Sequence, residues 1–225
     1  MSVLRAAALL AWKDLRIELR TREITVSTGL FAVLTVVLTS LSFYVDDVIA
    51  RRIAPGVLWI AIAFAGVLAI GRTWGREREN DAMRGLLLAP IPRPAIFAGK
   101  AVGTLAFIVA IELMLVPLVA VLFHLDLVPA LPLMIPTLLL GSLGFVLTGT
   151  LFGAMTVRTR SRDLMLSVVL FPLVTPALLA GVVATRGILA GEPLEETLAW
   201  MRILGAYDLV VGVCGWFLFG PLVSD

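Results

Sequence analysis

The chain has 225 residues, 60% of them hydrophobic and 15% charged, with a mean hydropathy of +1.04. A water-soluble domain of that length needs far more polar surface, so the composition places the chain in a membrane. One cysteine and one histidine exclude a disulfide framework, a three-histidine zinc site and a bis-histidine haem site within one subunit, and they leave a Ser-His-Asp array unsupported.

The amino terminus opens with "AAALLAW", about one signal-peptide apolar region long. It runs directly into "KDLRIELRTRE" with no small-residue cleavage site, so a cleaved signal is not expected. Residues 3–20 predict an amphipathic helix. Leu4, Ala8, Trp12, Leu15 and Leu19 share one face while Lys13, Arg16 and Arg20 line another. A basic face, an apolar face and a Trp suit a helix lying in the lipid headgroup plane. The competing reading is a helix packed on protein.

Six apolar runs approach the roughly 20 residues that a bilayer core demands: 24–44, 54–70, 101–123, 131–155, 164–184 and 207–223. The second and sixth are the shortest. The expected fold is therefore an all-α polytopic membrane protein, with residues 1–225 forming a single transmembrane domain.

Between the second and third runs lies the densest charge cluster, "RERENDAMRGLLLAP". Asp81 can cap a short helix that Pro90 stops, with Met83, Leu86 and Leu87 on one side. Glu77, Glu79 and Asp81 gather at its amino end, where the helix dipole favours negative charge. Two readings stand here: a surface helix that turns the chain around, or a docking knob for a soluble partner.

Glu112 sits halfway along the third run. An acidic group at mid-membrane costs on the order of 3 kcal/mol. Each Leu, Ile, Val or Phe offsets about 0.3 to 0.6 kcal/mol, and the run holds fourteen of them. The span inserts, and Glu112 must face protein or a water-filled path. The fourth run carries Gly141, Gly144, Gly149 and Gly153, a packing signal within or between subunits. In the fifth, Pro172 and Pro176 remove two backbone donors, which gives either a static kink or a broken helix lining a cavity. "EPLEETLAWMRIL" predicts a separate surface helix on the outer side, with Leu194, Leu198 and Met201 on one stripe.

Arg5, Lys13, Arg16, Arg20 and Arg22, the six basic residues of loop 71–100, and Arg158, Arg160 and Arg162 fall on one side of the six spans, fourteen in all; Arg51, Arg52, Arg186 and Arg202 fall on the other. The positive-inside rule puts both termini in the cytoplasm. It also accounts for the pI near 9.1 without nucleic acid. Nothing matches GxxxxGK[ST], so a chain that works by ATP needs a partner to bind it.

"WKDLRIELRTRE", "APGVLWIAIAFAG", "ERENDAMRGLLLAPIPRPAIFAGK", "FPLVTPALLAG" and "AYDLVVGVCGWFLFG" together resemble the haem exporter protein B family, CcmB, the permease of bacterial cytochrome c maturation. The likeness runs nearly end to end. The charged loop followed by "LLLAP" is shared more loosely with other ABC-2-type exporters, so a permease for a lipid, polysaccharide or drug is the alternative.

The resemblance implies an inner-membrane permease subunit that is not itself an enzyme. It would be a homodimer pairing with two copies of a CcmA-like ATPase and associating with CcmC- and CcmD-like subunits. ATP use would be linked to haem delivery or export, or to release of a haem-loaded CcmE-like chaperone. The Asp81–Leu88 helix would be the cytoplasmic coupling helix. Its Met83, Leu86 and Leu87 side would be seated on the ATPase, with Glu77, Arg78 and Glu79 making polar contacts around it. No cofactor is expected in the chain itself beyond haem as a candidate ligand. His124 is the candidate axial ligand, and a solvated loop histidine is the competing reading. Glu112, Pro172 and Pro176 are candidates for a pathway or for packing.

Overall fold

The computed structural model describes residues 2–42, 47–78, 82–156 and 162–224. Among them there is no strand. The elements are helices α1 (Val3–Thr21), α2 (Glu23–Ser42), α3 (Asp47–Arg78), α4 (Ala82–Leu88), α5 (Arg93–Leu122), α6 (Leu131–Thr156), α7 (Arg162–Ala190) and α8 (Leu194–Ser224), with one 3-10 turn at Val128–Ala130 before α6. Six of them are long and apolar enough to cross a membrane: α2, α3, α5, α6, α7 and α8. The protein is an all-α polytopic membrane protein.

The helices outrun the apolar stretches that mark them. The second and sixth runs, shortest in sequence, belong to the longest helices, α3 with 32 residues and α8 with 31. At 1.5 Å per residue each spans about 45 Å, well past a hydrocarbon core of about 30 Å. The surface helix expected at 192–204 is accordingly not separate. It is the first third of α8, because nothing between Leu194 and Tyr207 breaks the backbone ladder: Gly205 is tolerated and the next proline is Pro221.

α3 sits at the centre, touching α2, α5, α6 and α7, while α6 packs on both α7 and α8. Trp59 of α3 pins three helices together. Its indole is 1% exposed and its Nε1–H donates to Thr185 Oγ1 of α7 at 3.0 Å. The ring lies against Gly141 of α6 and Gly181 of α7, and a Cβ at either position would collide with it. The fourth-run glycines thus serve packing inside one chain: Gly149 admits Ile70 and Gly153 admits Trp74, both from α3.

Outward faces are greasy. On α2, Val26, Leu30, Leu34 and Leu38 recur every four residues and all are exposed, the stripe a lipid-facing helix requires. α1 has two distinct long sides. Leu4, Ala8, Trp12 and Leu19 face outward, as expected of an interfacial helix, and Leu15 is half-buried. The opposite side, Ala7, Leu10, Ala11, Asp14 and Glu18, is buried, chiefly against α5. Gly99 makes that approach possible, since a Cβ there would lie 2.8 Å from the Ala7 carbonyl oxygen and from Leu10 Cβ. One side of this segment is thus packed on protein, and the other is exposed and largely apolar.

Candidate functional site

The short helix α4 joins the end of α3 to the start of α5. At its carboxyl end the Arg93 guanidinium donates to the Leu87 carbonyl at 2.9 Å, supplying a partner that a helix end lacks. Met83 is buried, and Leu86 and Leu87 are half-buried against the main core. The side that sequence reasoning assigned to a partner is therefore turned onto the chain itself. Among the described side chains of α4, Gly85 and Leu88 are exposed, the latter 80%. Glu79 and Asp81 lie outside the described residues, and for Arg78 only the helical backbone is described.

Glu77 is also turned inward. It is 3% exposed, and its Oε1 accepts from the ammonium groups of Lys100 on α5 and, at 2.9 Å, of Lys13 on α1. Lys100, itself 1% exposed, donates in addition to Asp14 Oδ2 at 2.7 Å. Lys13 reaches Asp14 Oδ1 at 3.3 Å, and Arg76 donates to Glu18 Oε2 at 3.0 Å. Lys13 and Lys100 are thereby interleaved with Asp14 and Glu77 across α1, α3 and α5, and the Arg76–Glu18 pair joins α3 to α1 separately. A buried charge is tolerable only when paired and hydrogen-bonded, and Lys100 is held by a carboxylate from each of two other helices. Burial by itself lowers the Lys13 pKa, but Asp14 and Glu77 outweigh it and hold the group above its ordinary value. A cavity of about 110 Å³ adjoins this knot, and two buried atoms without partners, Thr73 Oγ1 and Glu77 Oε2, belong to residues that line it.

The other sequence candidates lie apart from this knot. Glu112 is 4% exposed and accepts from the Ser142 hydroxyl of α6. It forms part of a largely apolar groove of about 500 Å³ between α5 and α6, with Val116, Leu131, Met134 and Leu138 among the walls and Asp126 also lining it. Pro172 and Pro176 stand on an exposed side of an unbroken α7 and line none of the cavities described here. His124 is exposed just beyond α5 with φ 49°. The Leu125 N–H returns to the Ala120 carbonyl at 2.9 Å, so His124 occupies the left-handed position that ends a helix.

Sequence reasoning missed Asp14, Lys100 and Asp208. The first two looked like ordinary flanking charges, and only the packing of α1 on α5 brings them together. Asp208 lay near the start of an apolar run, but α8 begins thirteen residues before Tyr207, which carries Asp208 to mid-helix. It is 7% exposed, and neither carboxylate oxygen has a hydrogen-bond partner among the described residues. Beside it, Tyr207 Oη donates to the Leu173 carbonyl at 3.0 Å and shares a 2.8 Å hydrogen bond with Thr148. No group of His, Cys, Asp or Glu able to hold a metal ion occurs among the described residues.

A six-span helical body, an amphipathic helix strapped to its side and a short helix between spans two and three define a polytopic membrane protein of the permease type. The CcmB protein family model matches residues 5–222. Heme exporter protein B of Bradyrhizobium diazoefficiens is 30% identical over 215 residues, 94% of each chain. The protein of that name from Paracoccus denitrificans is 33% identical over 154 residues, 68% of this chain and 70% of that one. The one from Pseudomonas aeruginosa is 24% identical over 204 residues, 91% of each. The chain belongs to the CcmB protein family.

Proposed function

We propose that the chain is the membrane permease subunit of an ATP-binding-cassette complex serving cytochrome c biogenesis. The observation that carries this reading is the family match along nearly the whole chain, joined by relatives of near-equal length called heme exporter protein B. The basic side of the bundle, with both termini and α4, faces the cytoplasm of a bacterial inner membrane, following the distribution of Lys and Arg. Two copies pair with two CcmA-like ATPase subunits and associate with CcmC- and CcmD-like proteins. Nucleotide binding and hydrolysis belong to the ATPase, and the work done is haem export or release of a haem-loaded CcmE-like chaperone.

α4 gives the reading a mechanism. It is the coupling helix, with Gly85, Leu88 and the 78–81 segment, which includes Arg78, Glu79 and Asp81, meeting the ATPase. Met83, Leu86 and Leu87 seat it on the permease rather than on the partner. Closure of the nucleotide-loaded ATPase pair displaces α4. Because Glu77 and Lys100 join the two spans that flank α4, α3 and α5 move together, and Asp14 carries α1 with them.

The test is purification of the tagged chain from its native membrane, reading which subunits and whether haem accompany it. An ATPase together with CcmC- and CcmD-like proteins and haem is the expected result. Recovery with an ATPase alone, in a strain whose cytochromes c mature normally without this chain, would turn the reading toward an exporter of another substrate. Labelling of Leu88→Cys from the periplasmic side would reverse the orientation.

A further inference from the structure

The charges of α1 are sorted by side. Its two acidic residues, Asp14 and Glu18, point into the protein and are neutralised there by Lys13, Lys100 and Arg76. Glu23, at the start of α2, pairs with Arg72 and Arg76. Arg5, Arg16, Arg20 and Arg22 are all exposed, and none has an ion-pair partner among the described residues. With Asp14, Glu18 and Glu23 engaged, this flank has positive charge uncompensated among the described residues, beside the exposed Leu4, Trp12 and Leu19.

At one point that flank is more than a surface. Where α1 turns into α2, a groove of about 270 Å³ opens between the two helices and α5. Arg22 and Thr25 line it together with Leu19, Val26, Ala106, Phe107 and Ala110. Glu18 also lines it, but one carboxylate oxygen accepts the Thr25 N–H at 2.7 Å and the other accepts from Arg76 at 3.0 Å. Its charge is thus compensated and does not repel an anion. A basic residue and a threonine lining an otherwise largely apolar groove call for a ligand with an anionic head and a hydrocarbon tail. Free phosphate satisfies only the first.

We propose that the α1–α2 corner binds one anionic phospholipid of the surrounding leaflet, its phosphate on Arg22 and Thr25 and an acyl segment laid against Ala106, Phe107 and Ala110. The cytoplasmic leaflet is named on the orientation given under Proposed function; the site itself does not depend on it. A lipid held here packs against the same stretch of α1 that carries Glu18, so it fixes the angle at which α1 leaves the bundle.

The test uses the full-length chain in detergent micelles doped with equal phosphatidylglycerol and phosphatidylethanolamine, with retained lipid read by native mass spectrometry. One phosphatidylglycerol per chain is expected. Arg22→Asn, which accepts the left-handed backbone at φ 54°, should lower retention about fivefold, the weight of one basic residue at a lipid surface. Ala110→Trp, which fills the slot without touching charge, should lower it as well, whereas Arg5→Asn, outside the groove, should not. Ala106→Met replaces Ala110→Trp if the larger residue prevents folding. Equal retention by the wild type, Arg22→Asn and the slot-filling variant overturns the site. Equal retention of the two lipids overturns its charge selectivity, and displacement by glycerol phosphate overturns the acyl half. Labelling of a cysteine at position 22 from the periplasmic side overturns the leaflet assignment alone and leaves the lipid result standing.

Discussion

Lys100 and Asp14, eighty-six positions apart in sequence, meet at 2.7 Å inside the protein. The same ammonium group also reaches Glu77, so one buried cation joins α1, α3 and α5. It lies two turns into α5, just past the chain segment that carries α4. Any force on α4 therefore meets a joint rather than two independent helices.

Replacing Lys100 with Met leaves Asp14 and Glu77 sharing one remaining lysine, Lys13. Removing one partner of a buried ion pair costs about 3–5 kcal/mol, so the variant should show a clear loss of thermal stability in detergent. Proteolysis should also release α1 at lower protease levels. Lys100→Arg keeps the charge and should lose less. If Lys100→Met melts like the wild type, the joint contributes no stability.

Two adjacent leucines on α4 should behave oppositely. Leu88 is 80% exposed, and surface substitutions away from special features usually change stability by no more than about 0.5 kcal/mol. Leu88→Asp should therefore leave folding intact and reduce co-purification of the ATPase. Leu87, packed against the core, should give the reverse pattern as Leu87→Asp: lower yield and melting temperature, because a charge is driven into an apolar contact. Equal ATPase recovery with Leu88→Asp would remove the outward side of α4 from the coupling surface.

These pairs show what the sequence discloses and what it hides. Hydropathy revealed six spans because lipid imposes a length and composition on each helix. The short helix after the charge cluster was legible from its apolar residues and from Pro90. The rest depended on which way faces turn. Met83, Leu86 and Leu87 form an apolar side in sequence, but periodicity does not say whether that side meets a partner or the chain's own core. Asp14 and Lys100 appear as routine charges at the edges of apolar runs. Their pairing depends on α1 lying across α5 at Gly99, a long-range contact with no local signature. Asp208 was obscured by a helix longer than its greasy stretch.

The Trp59 lock should resist enlargement more than the lipid-facing stripe. Gly181→Val puts methyl groups into the indole, and overpacking a filled core costs about 1–3 kcal/mol. Trp59→Phe empties space and leaves Thr185 without the indole donor it accepts at 3.0 Å, although its own hydroxyl still donates to the Gly181 carbonyl at 2.7 Å. Both variants should unfold at lower temperature in the same detergent, whereas Leu34→Ala on the exposed stripe of α2 should not. A Gly181→Val protein as stable as the wild type would mean that α7 shifts freely relative to α3.

Glu112 offers a contrast between stability and activity. Its carboxylate accepts a hydrogen bond from Ser142, and the groove beside it is largely apolar. Replacing a buried ionisable group with an apolar residue of similar volume is often neutral or stabilising. Glu112→Leu should therefore melt no lower than the wild type. Ser142 is not left orphaned by the change, since a helical serine can bond the carbonyl four residues back. On the pathway reading of Glu112, cytochrome c maturation should fall in Glu112→Leu. Glu112→Gln, which preserves a hydrogen bond to Ser142, separates bonding from charge: recovery of maturation assigns the role to the bond, and failure assigns it to the ionisable group. Full maturation in Glu112→Leu would make the residue a packing element only.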